Sequence, residues 1–226
     1  MDWSALEVSL LLAALTTALL LPLGLWLARW LAITPWRGRP LVEALLLLPL
    51  LLPPTVIGFY FLMAFGQGSP LGAWLADVLG LRLVFSLQGL LAVSLLVNLP
   101  FMVQPIQRAF AAVPHSLREA AWVSGLSGWQ TFWRVELPLA WPGLLAGMAL
   151  TAAHTLGEFG VVLMVGGNIP GETRTLSIAL YDKVQGLELQ SAHVLALALV
   201  ATSVLALALV LAFDRVGVRG RALQER

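Results

Sequence analysis

The amino-acid sequence predicts an all-α integral membrane protein with about five transmembrane helices. Of its 226 residues, 59% are hydrophobic and only 11% are charged, which leaves too few polar side chains to coat a water-soluble globule. Apolar runs without charge recur along the chain, and each is close to the roughly 20 residues that a helix needs to cross a bilayer. Basic residues fall mainly between alternate runs, as in multi-pass proteins of fixed orientation.

The apolar runs give the position of each predicted span. In chain order the spans cover about 6–30, 42–65, 84–107, 141–165 and 193–213. Adjacent Pro53 and Pro54 predict a bend in the second span, because proline removes a backbone hydrogen bond and clashes with the preceding turn. The fourth span contains His154 and Glu158, and a carboxylate inside a membrane helix is penalised by about 2.5 to 3.5 kcal/mol unless it finds a partner.

The distribution of basic residues predicts how the chain is oriented. The first of them, Arg29, follows the first span, so that span lacks the basic flank of a cleaved signal peptide and is expected to be retained. With the N-terminus outside, five crossings place ten of the thirteen basic residues in the cytoplasm and only Arg82, Arg174 and Lys183 outside. We expect one membrane domain over 6–214 and a short basic cytoplasmic tail over 215–226.

The composition also argues against several functions. A net charge of +1 gives no basic surplus for binding nucleic acid, and zero cysteines exclude disulfides, iron–sulfur clusters and thiolate metal sites. A phosphate-binding Walker A loop needs a glycine followed by a lysine, but the single lysine, Lys183, follows Asp182. The sequence predicts neither a cofactor nor a metal site, and any ATP-driven work would come from a partner.

The cytoplasmic stretch 109–140 predicts a short amphipathic helix. Ser116 and Glu119 have the spacing of a capping box, and Pro114 and Gly125 bracket the segment. The residues expected on one small, contact-forming face are Leu117, Ala120, Ala121 and Ser124, with Arg118 and Trp122 pointing elsewhere. The residues alone fit equally well a helix lying on lipid headgroups through its tryptophans, Trp122, Trp129 and Trp133.

A longer pattern separates these two interpretations. Glu119-Ala120-Ala121, then Gly125, then Val135-Glu136-Leu137-Pro138 resembles the EAA loop of ABC-importer permeases, with valine where the family often has isoleucine. Two outer strings, Gly157-Glu158-Phe159-Gly160 and the run from Asn168 to Thr175, are similar to those of molybdate permeases, as is Pro49 to Gly58. The resemblance extends from about Leu6 to Asp214, with departures at the termini and over 185–193.

This resemblance implies a fold, a set of partners and a function. The fold would be that of a type I ABC importer permease in the bacterial inner membrane, with a periplasmic N-terminus and a cytoplasmic C-terminus. Two copies of the chain would work with two cytoplasmic ATP-binding subunits and a periplasmic oxyanion-binding protein. The chain would carry molybdate without being an enzyme itself, with sulfate or tungstate as alternatives. The residues implied in coupling to the ATPase are Ser116, Arg118, Glu119, Ala120, Ala121 and Gly125.

Candidate gate or pathway residues lie at the outer end of the fourth span. They are Gly157, Glu158, Gly160, Asn168 and Arg174. Glu158 would belong to an outer gate or hinge, or would only hold the span through a bond to backbone or to Arg174. The second interpretation is favoured, because a bare carboxylate repels an anion. Arg174 could guide the oxyanion, contact the binding protein or cap a following helix.

Two competing functions of other classes remain. His154 and Glu158 are four residues apart and share a helix face, which would suit a proton-coupled secondary transporter, although a simple hydrogen bond explains the pair better. Gly125-Leu126-Ser127-Gly128 has the form found around an intramembrane serine protease nucleophile. We disfavour the protease because Ser127 is expected in a charged cytoplasmic loop, away from any membrane-embedded substrate.

Overall fold

The computed structural model describes residues 3–224, with side chains as far as Leu205 and that of Ala208. This part of the chain forms helices joined by short turns, which agrees with the all-α expectation. The helices are α1 (Trp3–Ile33), α2 (Arg39–Leu51), α3 (Pro54–Phe65), α4 (Pro70–Leu79), α5 (Leu87–Ala111), α6 (His115–Val123), α7 (Gly128–Thr131), a π-helical segment (Phe132–Glu136), α8 (Leu137–Gly157), α9 (Gly160–Gly166), α10 (Leu176–Gln185) and α11 (Leu189–Gln224).

The centre of the molecule is a bundle of α1, α5 and α8, which pack against one another. Met102 and Ile106 of α5 are fully buried in it. Small residues let the backbones approach closely, as is usual between membrane helices. A Cβ atom on Gly143 would lie 2.7 Å from the Pro105 carbonyl oxygen, and one on Gly147 would lie 2.8 Å from that of Met102. The glycines of α8 therefore set its distance from α5.

Three helices in the described part of the chain are long and apolar enough to cross a membrane: Trp3–Ile33, Leu87–Ala111 and the continuous Gly128–Gly157. A fourth crossing is obtained if α2 and α3 are counted as one span bent by 105°. The predicted bend at Pro53 and Pro54 is confirmed, and it is sharp because α2 ends at Leu51 and α3 starts again at Pro54.

The fifth predicted span, 193–213, lies within α11. The apolar part of α11 that the structure describes with side chains, Leu189–Leu205, is shorter than a full crossing. The residues beyond it fall outside the side chains described. The number of five spans, the domain bounds and the orientation of the termini therefore stay predictions.

The fourth span differs from the sequence prediction of one helix over 141–165. Helix α8 ends at Gly157, Glu158 has an extended backbone with φ −65° and ψ 130°, and α9 begins at Gly160. Glu158 therefore lies in a break between two helices and not near the middle of one. Because the helix is interrupted, backbone N–H and C=O groups at the break can form hydrogen bonds with side chains. In an unbroken membrane helix these groups are bonded within the helix.

Short helices occupy the segments between the spans. Helix α4 was not predicted; it begins with the Ser69 hydroxyl accepting a bond from the Gly72 amide at 2.8 Å and ends at Gly80, whose φ is +65°. Helices α9 and α10 follow the fourth span, a point that the sequence left open. Helix α10 packs against α11, and α3 packs against α9.

Candidate functional site

Helix α6 confirms the short helix expected near the EAA pattern, but its start differs from the prediction. The helix begins at His115, directly after Pro114, and no side chain caps it. The capping box predicted for Ser116 and Glu119 is therefore wrong: Glu119 instead lies beside His115, with 3.0 Å between His115 Nδ1 and a Glu119 carboxylate oxygen. Pro114 sets the start because it disfavours helical geometry in the residue before it.

The capping box of this region lies instead at the start of the next helix, α7. The Ser127 hydroxyl accepts a bond from the Gln130 amide at 3.3 Å, and the Gln130 side chain accepts one from the Ser127 amide at 2.8 Å. The structure thus gives Ser127 a local structural role. Between α6 and α7 the chain turns at Gly125, whose φ of +82° favours glycine.

The face of α6 that the sequence predicts for contact with another molecule stays mostly exposed. Arg118 and Ala121 are buried, whereas Leu117 and Ala120 are exposed. A surface that we call the α6 surface carries large exposed apolar side chains; its members are Leu117, Trp122, Val123, Trp129 and Trp133. Exposed apolar groups in such number fit contact with a partner molecule, and the three tryptophans also fit contact with lipid headgroups.

Arg118 points inward because a buried carboxylate binds it. Glu136, at the end of the π-helical segment, is 1% exposed. Its Oε1 accepts a bond from Arg118 Nε at 2.9 Å, and its Oε2 lies 2.5 Å from Nε of Arg29 on α1. Arg118 also donates to the Phe110 carbonyl at the end of α5, at 2.8 Å. The sequence analysis placed Glu136 in the EAA pattern but gave it no role of its own, although a single acidic residue between Val135 and Leu137 was a visible signal.

The second cluster of polar residues lies at the break between α8 and α9. Glu158 is 9% exposed, and its backbone carbonyl accepts a bond from the Ser177 hydroxyl at 2.6 Å. One carboxylate oxygen lies 3.5 Å from the Val161 amide, and the other lies 3.5 Å from His154 Nε2. The break is therefore held chiefly by the hydroxyl of Ser177, a residue on α10.

His154 has a shorter bond on its other side. Its Nδ1 lies 3.0 Å from the Asn98 side-chain oxygen, and its ring stacks on Phe101 with 4.0 Å between centroids. Asn98 in turn donates to the Ser94 carbonyl at 2.9 Å. At 3.5 Å the His154–Glu158 contact is outside ordinary hydrogen-bond geometry. The arrangement fits a histidine that is fixed in place by α5.

The two broken spans meet at this point. A Cβ atom on Gly160 would lie 3.0 Å from Cβ of Pro54, the first residue of α3, whereas one on Gly157 would meet nothing within 4 Å. Of the two glycines predicted to allow close helix approach, only Gly160 does so. A cavity of about 520 Å³ opens here, lined among others by Pro54, Phe101, His154 and Glu158.

Arg174 has partners other than the predicted Glu158. Its Nε donates to the Asn168 side-chain oxygen at 2.8 Å, and its Nη2 lies 3.7 Å from Asp182 of α10. Asn168 donates to the same carboxylate at 3.0 Å and has a φ of +59°, which asparagine tolerates better than most residues. The cap of α10 is Thr175, so the expected capping by Arg174 is wrong. The three side chains fasten the outer loop to α10.

A larger cavity follows the inner half of α5 and α8. It has a volume of about 600 Å³ and is mainly apolar, with Pro100, Phe101, Pro142 and Leu150 in its lining. Gln104 and Arg108 supply its polar groups; the Arg108 guanidinium donates to the Gln104 side-chain oxygen at 3.3 Å. Sequence reasoning did not identify these two residues, because one sequence does not show which helix faces line a cavity.

Comparison with known proteins identifies relatives over most of the chain. Residues 20–217 match the family model "Binding-protein-dependent transport system inner membrane component". The molybdenum transport system permease protein ModB of Azotobacter vinelandii is 46% identical over 207 residues, 91% of each chain. That of Escherichia coli K12 is 36% identical over 81% of this chain and 80% of its own. A Synechocystis sulfate transport system permease protein, CysW, is 34% identical over 89% of this chain and 74% of its own.

Solved structures agree at the level of the fold. A bacterial ABC transporter involved in the import of the acidic polysaccharide alginate matches with a TM-score of 0.72 and 18% identity, over 96% of this chain and 78% of that one. The same transporter in complex with an alginate pentasaccharide-bound periplasmic protein matches equally well. The chain therefore belongs to the family of binding-protein-dependent transport system inner membrane components, the permease subunits of ABC transporters.

Proposed function

We propose that the chain is the permease subunit of a molybdate importer, driven by ATP hydrolysis on a separate cytoplasmic subunit. The observation that carries the proposal is the α6 surface. Helix α6 lies between two long helices, it exposes an apolar face, and a buried ion pair ties it to the central bundle. Such a helix is suited to be displaced by a partner protein and to transmit this displacement to the membrane-spanning helices.

The choice of molybdate rests on the relatives. The molybdenum permease ModB of Azotobacter vinelandii is 46% identical to this chain, and the sulfate permease CysW of Synechocystis is 34% identical. Molybdate, tungstate and sulfate are tetrahedral dianions of similar shape, so tungstate and sulfate stay as alternatives for the same site.

The partners follow from this function. A periplasmic oxyanion-binding protein would deliver the substrate; the structurally similar alginate transporter is in complex with an alginate pentasaccharide-bound periplasmic protein. Two ATP-binding subunits would receive the α6 surfaces of two copies of the chain. A pore shared between two copies also gives the cavity along α5 and α8 a natural role as half of the pathway. With the N-terminus in the periplasm, α6 lies on the cytoplasmic side.

We further propose that the paired breaks form the outer gate. The break at Glu158 and the break before Pro54 lie side by side, and non-helical backbone at membrane depth is tolerated where it lines a cavity. Gly160 allows the contact between the two broken spans. Asn168 and Arg174 belong to the outer loop that rests on α10 and would move with this gate or meet the binding protein.

The test is reconstitution of the chain with its ATPase subunit and binding protein in proteoliposomes. We expect uptake of labelled molybdate that requires ATP, with competition strongest from tungstate and weaker from sulfate. Strongest competition by sulfate would reassign the substrate. Uptake without the ATPase that collapses when the proton gradient is removed would select a proton-coupled transporter using His154 and Glu158.

A further inference from the structure

We infer that Glu136 is a positioning residue that transmits the movement of α6 to the membrane helices, through the ion pairs it forms with Arg118 and Arg29. The inference rests on the proposed function. It adds to that function a specific connection, which we call the joint: the ion pairs of Glu136 with Arg118 and with Arg29. None of the three residues need touch the substrate or the ATPase for this role.

The polypeptide on both sides of α6 is not helical. Before the helix, the chain leaves α5 at Ala111 and passes through Pro114, whose φ and ψ are −56° and 136°. After it, the chain turns at Gly125 with φ +82° and reaches Ser127, where the backbone is again extended. No continuous helix therefore joins α6 to α5 or α8. A displacement of α6 must reach the membrane-spanning helices through other contacts.

Side chains supply these contacts. Arg118 is 8% exposed and binds two elements at once, through its Nε to Glu136 and through its Nη2 to the Phe110 carbonyl at the end of α5. Glu136 is followed directly by α8, and its second carboxylate oxygen binds Arg29 near the end of α1. One arginine on α6 is thereby connected to all three helices of the central bundle.

The chemistry of the joint makes it stiff. A carboxylate with both oxygens bonded to guanidinium groups has a fixed orientation, and buried charge pairs lose much energy if either partner moves away. The Arg29 guanidinium also lies over the Phe132 ring, 5.3 Å from its centroid, which holds it beside the π-helical segment. A displacement of α6 therefore moves Glu136 and the start of α8 together with it.

The experiment measures how well ATP hydrolysis is coupled to uptake. Glu136→Gln keeps the shape of the side chain but removes the charge that holds both arginines. In the reconstituted complex we expect ATP hydrolysis to continue while molybdate uptake per ATP falls about tenfold, the range seen for broken coupling between two sites. Arg118→Lys is the second variant: it keeps the charge but cannot bond Glu136 and Phe110 together, and we expect a smaller fall in the same ratio.

Glu43→Gln is the matched control. Glu43 also accepts bonds from an arginine, Arg39 at 2.9 Å, and from Gln107 on α5, so its bonds connect α2 with α5. We expect this variant to keep the wild-type ratio of uptake to ATP. A general effect of losing a carboxylate would lower the ratio in both Gln variants and leave it unchanged in Arg118→Lys, whereas loss of the joint lowers it in the Glu136 and Arg118 variants and not in Glu43→Gln.

Three outcomes separate the inference from its alternatives. If the ratio of molybdate uptake to ATP hydrolysis is unchanged in assembled Glu136→Gln and Arg118→Lys complexes, the inference is wrong. Loss of the ATPase subunit from the purified Arg118→Lys complex also overturns it, because the residue would then serve docking. If the wild-type complex itself shows no ATP-driven uptake of molybdate, tungstate or sulfate, the proposed function fails.

Discussion

At the scale of single residues, the position of each acidic side chain is explained by the group that binds it. Glu136 lies between two guanidinium groups, Glu158 lies where a helix stops, and Asp182 holds Asn168 and Arg174. The sequence offered the backbone and His154 as partners of the Glu158 carboxylate, and the Val161 amide and His154 Nε2 each lie 3.5 Å from it. It did not predict the bond from Ser177 to the Glu158 backbone carbonyl, because Ser177 is 19 residues away in the chain and meets it only through folding.

Asn168 allows a direct test of the outer loop. Asn168→Ala removes the bonds to Asp182 and Arg174 and also leaves a residue with a side chain at φ +59°, which costs about 1 to 2 kcal/mol outside glycine and asparagine. We expect a lower melting temperature of the purified protein in detergent. Asn168→Gly, which loses the bonds but tolerates the backbone, should lie between Asn168→Ala and wild type; equal melting temperatures for all three would refute this account of the loop.

At the scale of helices, the sequence predicted the first and third spans and the bend at Pro53 and Pro54, but it did not predict the break at Glu158. The charge-free run 84–107 became α5, since a helix is the only way for it to satisfy its backbone in lipid. The stop at Gly157 depends instead on Pro54 and Ser177, which contact the break from other helices. The start of α6 was missed for a local reason: Pro114 outweighed the Ser116 and Glu119 spacing.

Two glycines of the α8–α9 break should respond oppositely to alanine. Gly160→Ala places a methyl group 3.0 Å from Cβ of Pro54, so the two broken spans must separate slightly. Gly157→Ala meets nothing within 4 Å and gains the better helix propensity of alanine at the end of α8, up to about 1 kcal/mol. We expect thermal unfolding in detergent to show a lower melting temperature for the first and an equal or higher one for the second. A fall of the same size in both would contradict the close contact at Gly160.

The turn after α6 depends on Gly125. Its φ of +82° disfavours any residue with a side chain, and a carboxylate there would also charge the edge of the α6 surface. We expect Gly125→Glu to abolish ATP-driven uptake while the protein stays in the membrane fraction. Gly125→Asn, which tolerates left-handed backbone, is the control and should keep most of the uptake. Normal uptake by Gly125→Glu would remove α6 from the coupling path.

At the scale of the whole molecule, the bundle of α1, α5 and α8 carries every feature of the site. One end of it binds α6 through Glu136, its side lines the cavity at Gln104 and Arg108, and its other end meets the break at Glu158. The sequence anticipated both functional regions by their resemblance to a family. It did not show that the same three helices connect them, because helix packing is decided by small residues such as Gly143 that carry no functional signal.

The orientation of the molecule is open to a simple test because the chain contains no cysteine. Val123 on α6 and Leu187 before α11 are 89% and 82% exposed, so Val123→Cys and Leu187→Cys should be accessible and well tolerated. With the predicted orientation, a membrane-impermeant maleimide added to spheroplasts should label the second variant only. Labelling of Val123→Cys from outside would place α6 on the wrong side for an ATPase.

The adjacent breaks at Pro53 and Glu158 also affect the hydrogen–deuterium exchange of backbone amides. Amide hydrogens inside long membrane helices are shielded for a very long time, since each is bonded within its own helix. Where two helices are interrupted next to each other and beside a cavity, deuterium has a point of entry far from either end of the spans. Mass spectra of the labelled protein would then show a fast-exchanging band across the bundle, dividing it into two slowly exchanging halves.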